Sequence, residues 1–332
     1  MEKRNYNIDL IKTIAFLLVV TKHFISYIGH PALVANNIEW VIITFLKVCT
    51  LVCVPLFLMS TGFLQIDKEI KFNLTYIKKL KYIIIPYLVV SCFTILINVF
   101  FLNKTVNIPS MLFGITGNGY AWYVGMYLGL YMLIPFLNVG WNNLDKNGKR
   151  TLLVILFCLT SLPHLFNIKA TYLPSYFTQL YPTFYYFLGG YIKQYEPHKN
   201  IKKSLFIITY FVSALLYTLF LLFVNYGNAL NTIDAYFDDY KIPFIVICSI
   251  SVFCILLKIN IKHKNTLSQT SILSFSAYLF SWIPDNFLFG FVIMAGSTPI
   301  QRLWVAIPYI LFVATISLLF SKFVNLCMKR KT

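Results

Sequence analysis

The chain alternates between long apolar segments and short polar stretches that are mostly basic. Ten apolar segments can be marked, at residues 8–29, 40–64, 82–102, 120–139, 151–166, 181–192, 205–224, 242–257, 272–293 and 303–326. A helix of about 20 apolar residues spans the hydrocarbon core of a bilayer, and most of these segments approach that length. The pattern predicts an all-α integral membrane protein, a single bundle of about ten transmembrane helices that forms one domain over residues 1–332.

Composition agrees, since 58% of the 332 residues are hydrophobic and the mean hydropathy is +0.72. The net charge of +17 would suit a nucleic-acid partner, but the basic residues cluster between apolar segments, where they orient membrane helices. We therefore expect the lipid bilayer as partner, and no nucleic acid. With a cytoplasmic N-terminus, 21 of the 28 Lys and Arg residues lie in cytoplasmic segments, four in external segments and three within helices. This bias predicts that both termini are cytoplasmic.

The seven cysteines lie in or beside apolar segments, and none forms a Cys-x-x-Cys pair. We interpret them as small packing residues and expect neither disulfides nor a metal site. The sequence also contains no Walker loop, dinucleotide-binding fingerprint, nucleophile elbow or His-Glu-x-x-His motif. ATP-driven transport and zinc proteolysis therefore have no support.

The first segment carries Asp9, Lys12, Lys22 and His23. Ionisable groups are costly within a membrane helix and by default indicate function. Lys12 and His23 are separated by close to three helical turns, so they share one face about 16 Å apart along the axis, with Asp9 one turn before Lys12. An imidazole can take a proton from a hydroxyl or relay an acyl group, so His23 is a candidate catalytic residue, and Lys12 and Asp9 are further candidates on the same face. The alternatives are a polar helix contact for His23 and a Lys12 that snorkels to the interface.

A basic residue, ten further residues and a histidine on the first helix resemble the membrane acyltransferase-3 family, whose members O-acylate polysaccharides, peptidoglycan and related glycans. Here Lys12 stands where many members have arginine. The resemblance continues in VPLFLMSTGFL at 54–64, GYAWYVGMYLGLYMLIPFL at 119–137 and ILSFSAYLFS at 272–281. The last stretch has Ser281 where the family often has a histidine, and Asp285, one turn further on, is the candidate to replace that histidine.

The resemblance also implies binding residues. Lys78, Lys79 and Lys81 correspond to the family's paired-arginine segment and are predicted to bind the phosphates of coenzyme A from the cytosol, although ordinary cytoplasmic charge would look the same. Trp122 is predicted to stack on a sugar or adenine, or to anchor its helix at the interface. With Asp285 and Ser281, it completes the predicted substrate-binding set. The external loop 226–240 adds aromatic and acidic residues that suit carbohydrate hydroxyls.

The resemblance therefore implies a membrane O-acyltransferase, and most simply an O-acetyltransferase of the bacterial cytoplasmic membrane. It would use cytosolic acetyl-CoA as the donor substrate and a hydroxyl of a cell-surface polysaccharide, or of its lipid-linked oligosaccharide precursor, as the acceptor. The alternative is a proton-coupled transporter or flippase for a glycan or acyl donor, with Asp9, Lys12, His23 and Asp285 as a proton relay. Such transporters usually have paired broken helices in two related halves, and the sequence shows no such pairing.

Overall fold

The computed structural model describes residues 4–29, 33–101, 122–166, 172–226 and 240–327. In these ranges the regular structure is helical, apart from one isolated bridge between Ala35 and Tyr226. The helices are α1 Tyr6–Tyr27, α2 Ile38–Thr50, α3 Cys53–Gln65, α4 Leu74–Lys78, α5 Lys81–Phe100, α6 Trp122–Asn142, α7 Lys146–Thr160, α8 Leu162–Phe166, α9 Tyr181–Tyr195, α10 Lys203–Asn225, α11 Pro243–Leu257, α12 Lys264–Met294, α13 Pro299–Arg302 and α14 Ala306–Cys327. Short 3-10 turns precede and follow α9, and another precedes α14.

Seven helical stretches of the described chain are long and apolar enough to cross a bilayer. They are Ile38–Gln65, Leu74–Phe100, Trp122–Asn142, Lys146–Phe166, Lys203–Asn225, Lys264–Met294 and Pro299–Leu326. Helix α11 is also apolar but has only 15 residues. An all-helical, multi-pass membrane fold is therefore confirmed, whereas the count of about ten spans and the cytoplasmic position of both termini stay predictions.

Helix α1 lies at the centre of the bundle. The side chain of Asn5 caps its first turn by accepting hydrogen bonds from the N–H groups of the next residues. Ile11, Phe16 and Phe24, which point in different directions around the helix, are all fully buried because α2, α3, α11, α12 and α14 surround it. The ionisable side chains of α1 therefore project into protein and not into lipid.

Helices α1 and α12 pack side by side and run in the same direction. At one end, Arg4 donates a hydrogen bond to the carbonyl of Ser268 at the start of α12. At the other end, His23 of α1 lies beside Asp285 of α12. This shared direction sets the geometry of the site described below.

Helices α3 and α9 cross with their backbones in contact. A Cβ atom at Gly62 would overlap the carbonyl oxygen of Tyr186, and a Cβ atom at Gly189 would overlap that of Met59. Only glycine permits this approach, and small residues commonly allow such close contact between membrane helices. The tight crossing positions α3 beside α1, where α3 forms part of the site.

Arg302 anchors the far end of α1. Its Nη1 donates to the carbonyl of Ile28, at 2.8 Å, and its Nε donates to the carbonyl of Gly296, at 2.9 Å. The carbonyls in the last turn of a helix have no partner within the helix, so the guanidinium satisfies one of them. His23 lies just over one turn inside this anchored end.

Candidate active site

A cavity of about 720 Å³ opens beside the N-terminal half of α1, and we call it the cationic cavity. Among the described residues, five basic side chains line it, together with aromatic rings and small polar groups. The basic residues are Arg4, Lys12, Lys68, Lys79 and Lys193. Polar and aromatic side chains of the same wall include Thr61, Tyr82, Tyr127, Tyr131, Ser271 and Ser274. Cations that converge from distant parts of the chain favour a ligand with several negative charges.

Asp9 lines the cationic cavity and is paired with Arg4. Nε of Arg4 lies 2.7 Å from Oδ2 of Asp9, and Nη2 lies 3.1 Å from Oδ1, so the contact is bidentate. Lys12 lines the same cavity. Asp9 and Lys12, which the spacing places on one face of α1, therefore line the same cavity, whereas Arg4 was not recognised as a partner of Asp9.

The basic residues predicted to bind the donor are only partly assembled here. All three side chains are exposed, but Lys79 lines the cationic cavity, whereas Lys78 and Lys81 lie outside the wall that the described residues form. Lys68, from the connection between α3 and α4, and Lys193, from α9, join Lys79 instead. The cation cluster is thus built from single residues of separate segments and not from one basic run.

His23 faces Asp285 near the other end of α1. Nδ1 of His23 lies 3.4 Å from Oδ2 of Asp285; the His23 side chain is 20% exposed and that of Asp285 is 0% exposed. The hydroxyl of Tyr309, in α14, donates to Oδ1 of Asp285 at 2.7 Å. A carboxylate beside Nδ1 orients an imidazole so that Nε2 can act on a hydroxyl, and such contacts often shorten when substrate binds.

Ser281 lies one turn before Asp285 on α12. It is fully buried, and its hydroxyl donates to the carbonyl of Tyr278 in the same helix at 2.9 Å. The residue that occupies the place of the family's histidine is therefore near the His23–Asp285 pair but has a backbone partner. Within the described ranges, no three His, Cys, Asp or Glu side chains gather as a metal site.

Trp122 belongs to an aromatic cluster that reaches Lys22. Its ring stacks on Tyr240, with ring centres 5.7 Å apart and planes inclined by 22°. The Tyr240 hydroxyl lies 2.6 Å from Nζ of Lys22, and the Tyr240 carbonyl accepts a hydrogen bond from Tyr185. Lys22, next to His23, is thus connected with Trp122 through Tyr240. The other loop residues expected to suit carbohydrate lie outside the described residues: Asp234, Tyr236, Phe237, Asp238 and Asp239.

The cationic cavity and the His23–Asp285 pair lie along the same two helices. The spacing from Asp9 to His23 on α1 equals the spacing from Ser271 to Asp285 on α12. Each spacing corresponds to a rise of about 21 Å along its helix. Because the helices run in the same direction, Asp9 and Ser271 lie at the level of the cationic cavity, with the pair about 21 Å further on. The arrangement can bind an anionic molecule at one level and move a proton at the other.

The sequence model of one protein family, described as an acyltransferase domain, matches residues 5–322, nearly the whole chain. This chain belongs to the acyltransferase-3 family. The resemblance inferred from Asp9, Lys12 and His23 is therefore confirmed, and the protein is a membrane acyltransferase. No curated protein and no solved structure matches this member of the family.

Four residues of this acyltransferase-3 site were not recognised in the sequence. Arg4, Lys68 and Lys193 lie in basic clusters that are also explained by helix orientation, so the sequence gave no reason to separate them from their neighbours. Tyr309 lies within an apolar segment in which a tyrosine carries no functional signal. Only the packing of α14 against α12 brings its hydroxyl to Asp285.

Proposed function

We propose that this acyltransferase-3 protein is an O-acetyltransferase. It takes the acetyl group from acetyl-CoA in the cytosol and transfers it to a hydroxyl of a cell-surface polysaccharide or of its lipid-linked precursor. The observation that carries the proposal is the order along α1 and α12, with the cationic cavity first and the His23–Asp285 pair beyond it.

Coenzyme A is the donor that suits the cationic cavity. Its phosphate groups carry several negative charges, and Lys and Arg bind phosphates through charge-assisted hydrogen bonds. The tyrosines of the cavity wall, Tyr82, Tyr127 and Tyr131, offer ring faces for the adenine. Lys12 is the lining cation nearest to His23 along α1, so it is suited to the part of the donor that approaches the thioester.

His23 acts as the general base in this mechanism. It takes the proton of the acceptor hydroxyl while the hydroxyl oxygen attacks the thioester carbonyl carbon. A C–O ester bond forms, the C–S bond breaks, and His23 returns the proton to the departing thiolate. Asp285 stabilises the transient imidazolium and keeps the ring oriented, and Tyr309 supports Asp285 through its hydrogen bond.

In the proposed orientation, the N-terminal end of α1 faces the cytosol. The bias of basic residues towards the segments on that side supports this assignment, as do the basic residues that line the cationic cavity at this end of α1. The acceptor hydroxyl then approaches His23 from outside, close to the cluster of Lys22, Tyr240 and Trp122. The location that follows is the cytoplasmic membrane of a bacterial cell.

Analysis of the surface glycan, with and without the gene, tests the proposal. Ester-linked acetyl groups should be present with the wild-type gene and absent both after deletion and with His23→Ala at equal protein level. His164→Ala, in α8 and outside both parts of the site, is the matched control and should retain the esters. Unchanged ester content with an altered amount of exported glycan would contradict the proposal and indicate a transporter or flippase that uses the same residues for protons.

A further inference from the structure

A second, much smaller cavity adjoins the cationic cavity. It has a volume of about 20 Å³, and we call it the neck chamber. The described residues that line it are mostly aromatic and aliphatic: Val19, Val54, Phe57, Tyr123, Phe275 and Tyr278. Phe57, Tyr123 and Phe275 line both cavities, so the neck chamber is an extension of the cationic cavity.

The neck chamber lies between the cationic cavity and the His23–Asp285 pair. Val19 is one turn before His23 on α1, a rise of about 6 Å, and Tyr278 is about two turns before Asp285 on α12. Phe275, one turn before Tyr278, reaches back to the cationic cavity. Since the two helices run in the same direction, the order along both is cationic cavity, neck chamber and then the pair.

Packed rings limit the width of the neck chamber. The ring of Tyr123 contacts Tyr278 edge-on at 5.7 Å, stacks on Tyr127 at 5.7 Å and lies 6.0 Å from Phe57. Interiors of this kind are close-packed, so widening them requires several side chains to move together. A cavity of this volume admits about one water-sized group. A methyl group is of that size, whereas a chain with a second carbon is not.

We propose that the neck chamber receives the methyl group of the acetyl thioester and thereby restricts the protein to two-carbon acyl donors. This inference rests on the proposed transfer from coenzyme A and adds the residues that set the acyl length. A longer chain has to displace Val19, Val54 or Tyr123. One additional methylene in a fitted apolar site changes the rate by about 10- to 200-fold, so transfer from propanoyl-CoA should be at least about tenfold slower than transfer from acetyl-CoA.

Among the described residues, Val19 and Val54 are the aliphatic members of the wall, and they lie on different helices. Val19→Ala and Val54→Ala each enlarge the neck chamber without removing a polar group, and each should reduce the preference for acetyl over propanoyl by about tenfold. Val20→Ala and Val52→Ala are matched controls, because both valines are fully buried near the same positions but lie outside the neck chamber wall. Val19→Leu should act in the opposite direction and slow acetyl transfer itself.

The experiment is a competition with the full-length protein in membrane vesicles that contain the native glycan. An equimolar mixture of acetyl-CoA, propanoyl-CoA and butanoyl-CoA is supplied, and the ester-linked acyl groups of the glycan are identified by mass spectrometry. Because the readout is a ratio within one sample, a smaller amount of folded variant does not change it. Wild type and both controls should yield acetyl esters, whereas Val19→Ala and Val54→Ala should also yield propanoyl esters.

Two results would overturn the role of the neck chamber and leave the proposed function intact. One is an unchanged acyl ratio in both enlarged variants while acetyl transfer continues. The other is a wild-type protein that transfers propanoyl as fast as acetyl. Absence of ester from every donor with the wild-type protein would overturn the proposed function and, with it, this inference.

Discussion

Replacement of Asp285 by asparagine should slow acyl transfer by about 10³- to 10⁴-fold and leave the fold intact. Asparagine has nearly the size of aspartate, so the packing around this fully buried position is preserved. The substitution removes the negative charge that lies 3.4 Å from Nδ1 of His23. In the proposed mechanism that charge matters most when His23 has accepted the hydroxyl proton and become an imidazolium.

The magnitude follows from this distance. Two opposite charges separated by 3.4 Å attract each other by about 4 to 5 kcal/mol when the effective dielectric constant is about 20. Since each 1.36 kcal/mol changes a rate by about tenfold, the loss of this attraction corresponds to about 10³ to 10⁴. Tyr309→Phe removes only the 2.7 Å hydrogen bond to Asp285; a bond to a charged group contributes about 1.5 to 3 kcal/mol, so this variant should slow the reaction by about 10- to 150-fold.

The assay compares initial rates of acetyl transfer for the wild type, Asp285→Asn, Tyr309→Phe and Asp145→Asn in vesicles with equal protein content. Asp145 is an exposed N-cap residue of α7, and asparagine caps a helix as well as aspartate does, so this control should behave as the wild type. Thermal unfolding followed by fluorescence verifies the fold of each variant. An Asp285→Asn rate within tenfold of the wild type, with an unchanged Tm, would refute the role assigned to the carboxylate.

Further predictions concern the donor site and the helix crossing. Lys79→Gln should weaken coenzyme A binding by about tenfold in calorimetric titrations, whereas Lys78→Gln at the neighbouring exposed position should change it little; equal losses would contradict the assignment of the cavity. Arg4→Gln should also weaken coenzyme A binding. Combining it with Asp9→Asn should restore part of the affinity, because the Asp9 carboxylate that has lost its partner is then removed. An affinity of the double variant no higher than that of Arg4→Gln would argue against coupling between Arg4 and Asp9. Gly62→Ala should lower the Tm by several degrees, because its methyl group overlaps a backbone carbonyl of α9, and an unchanged Tm would show that the crossing can relax.

The arrangement along α1 could be predicted because it depends on helix geometry alone. Spacing determines which residues share a face, so it assigns Asp9, Lys12 and His23 to one side of α1 without reference to any tertiary contact. This placement depends only on local sequence and on the regular geometry of a helix.

The partners across the bundle could not be predicted in the same way. Nothing in the spacing of residues on α1 gives the distance from His23 to Asp285, because that distance depends on the direction and register in which α12 packs against α1. The basic residues illustrate a different difficulty. Charge that orients a membrane helix and charge that binds a phosphate have the same composition, so Lys79 could not be separated from Lys78 until their positions around the cationic cavity were known.

The most direct test of the central claim uses sealed, inside-out membrane vesicles, in which the cytosolic face is accessible from the medium. It measures the transfer of the radiolabelled acetyl group from added acetyl-CoA to the glycan. The measured quantity is label in the glycan fraction that mild base releases as acetate. We predict that vesicles with the wild-type protein accumulate this label and that vesicles with His23→Ala at equal protein level do not. Accumulation at the wild-type rate with His23→Ala, or in right-side-out vesicles only, would contradict a His23-dependent transfer from a cytosolic donor.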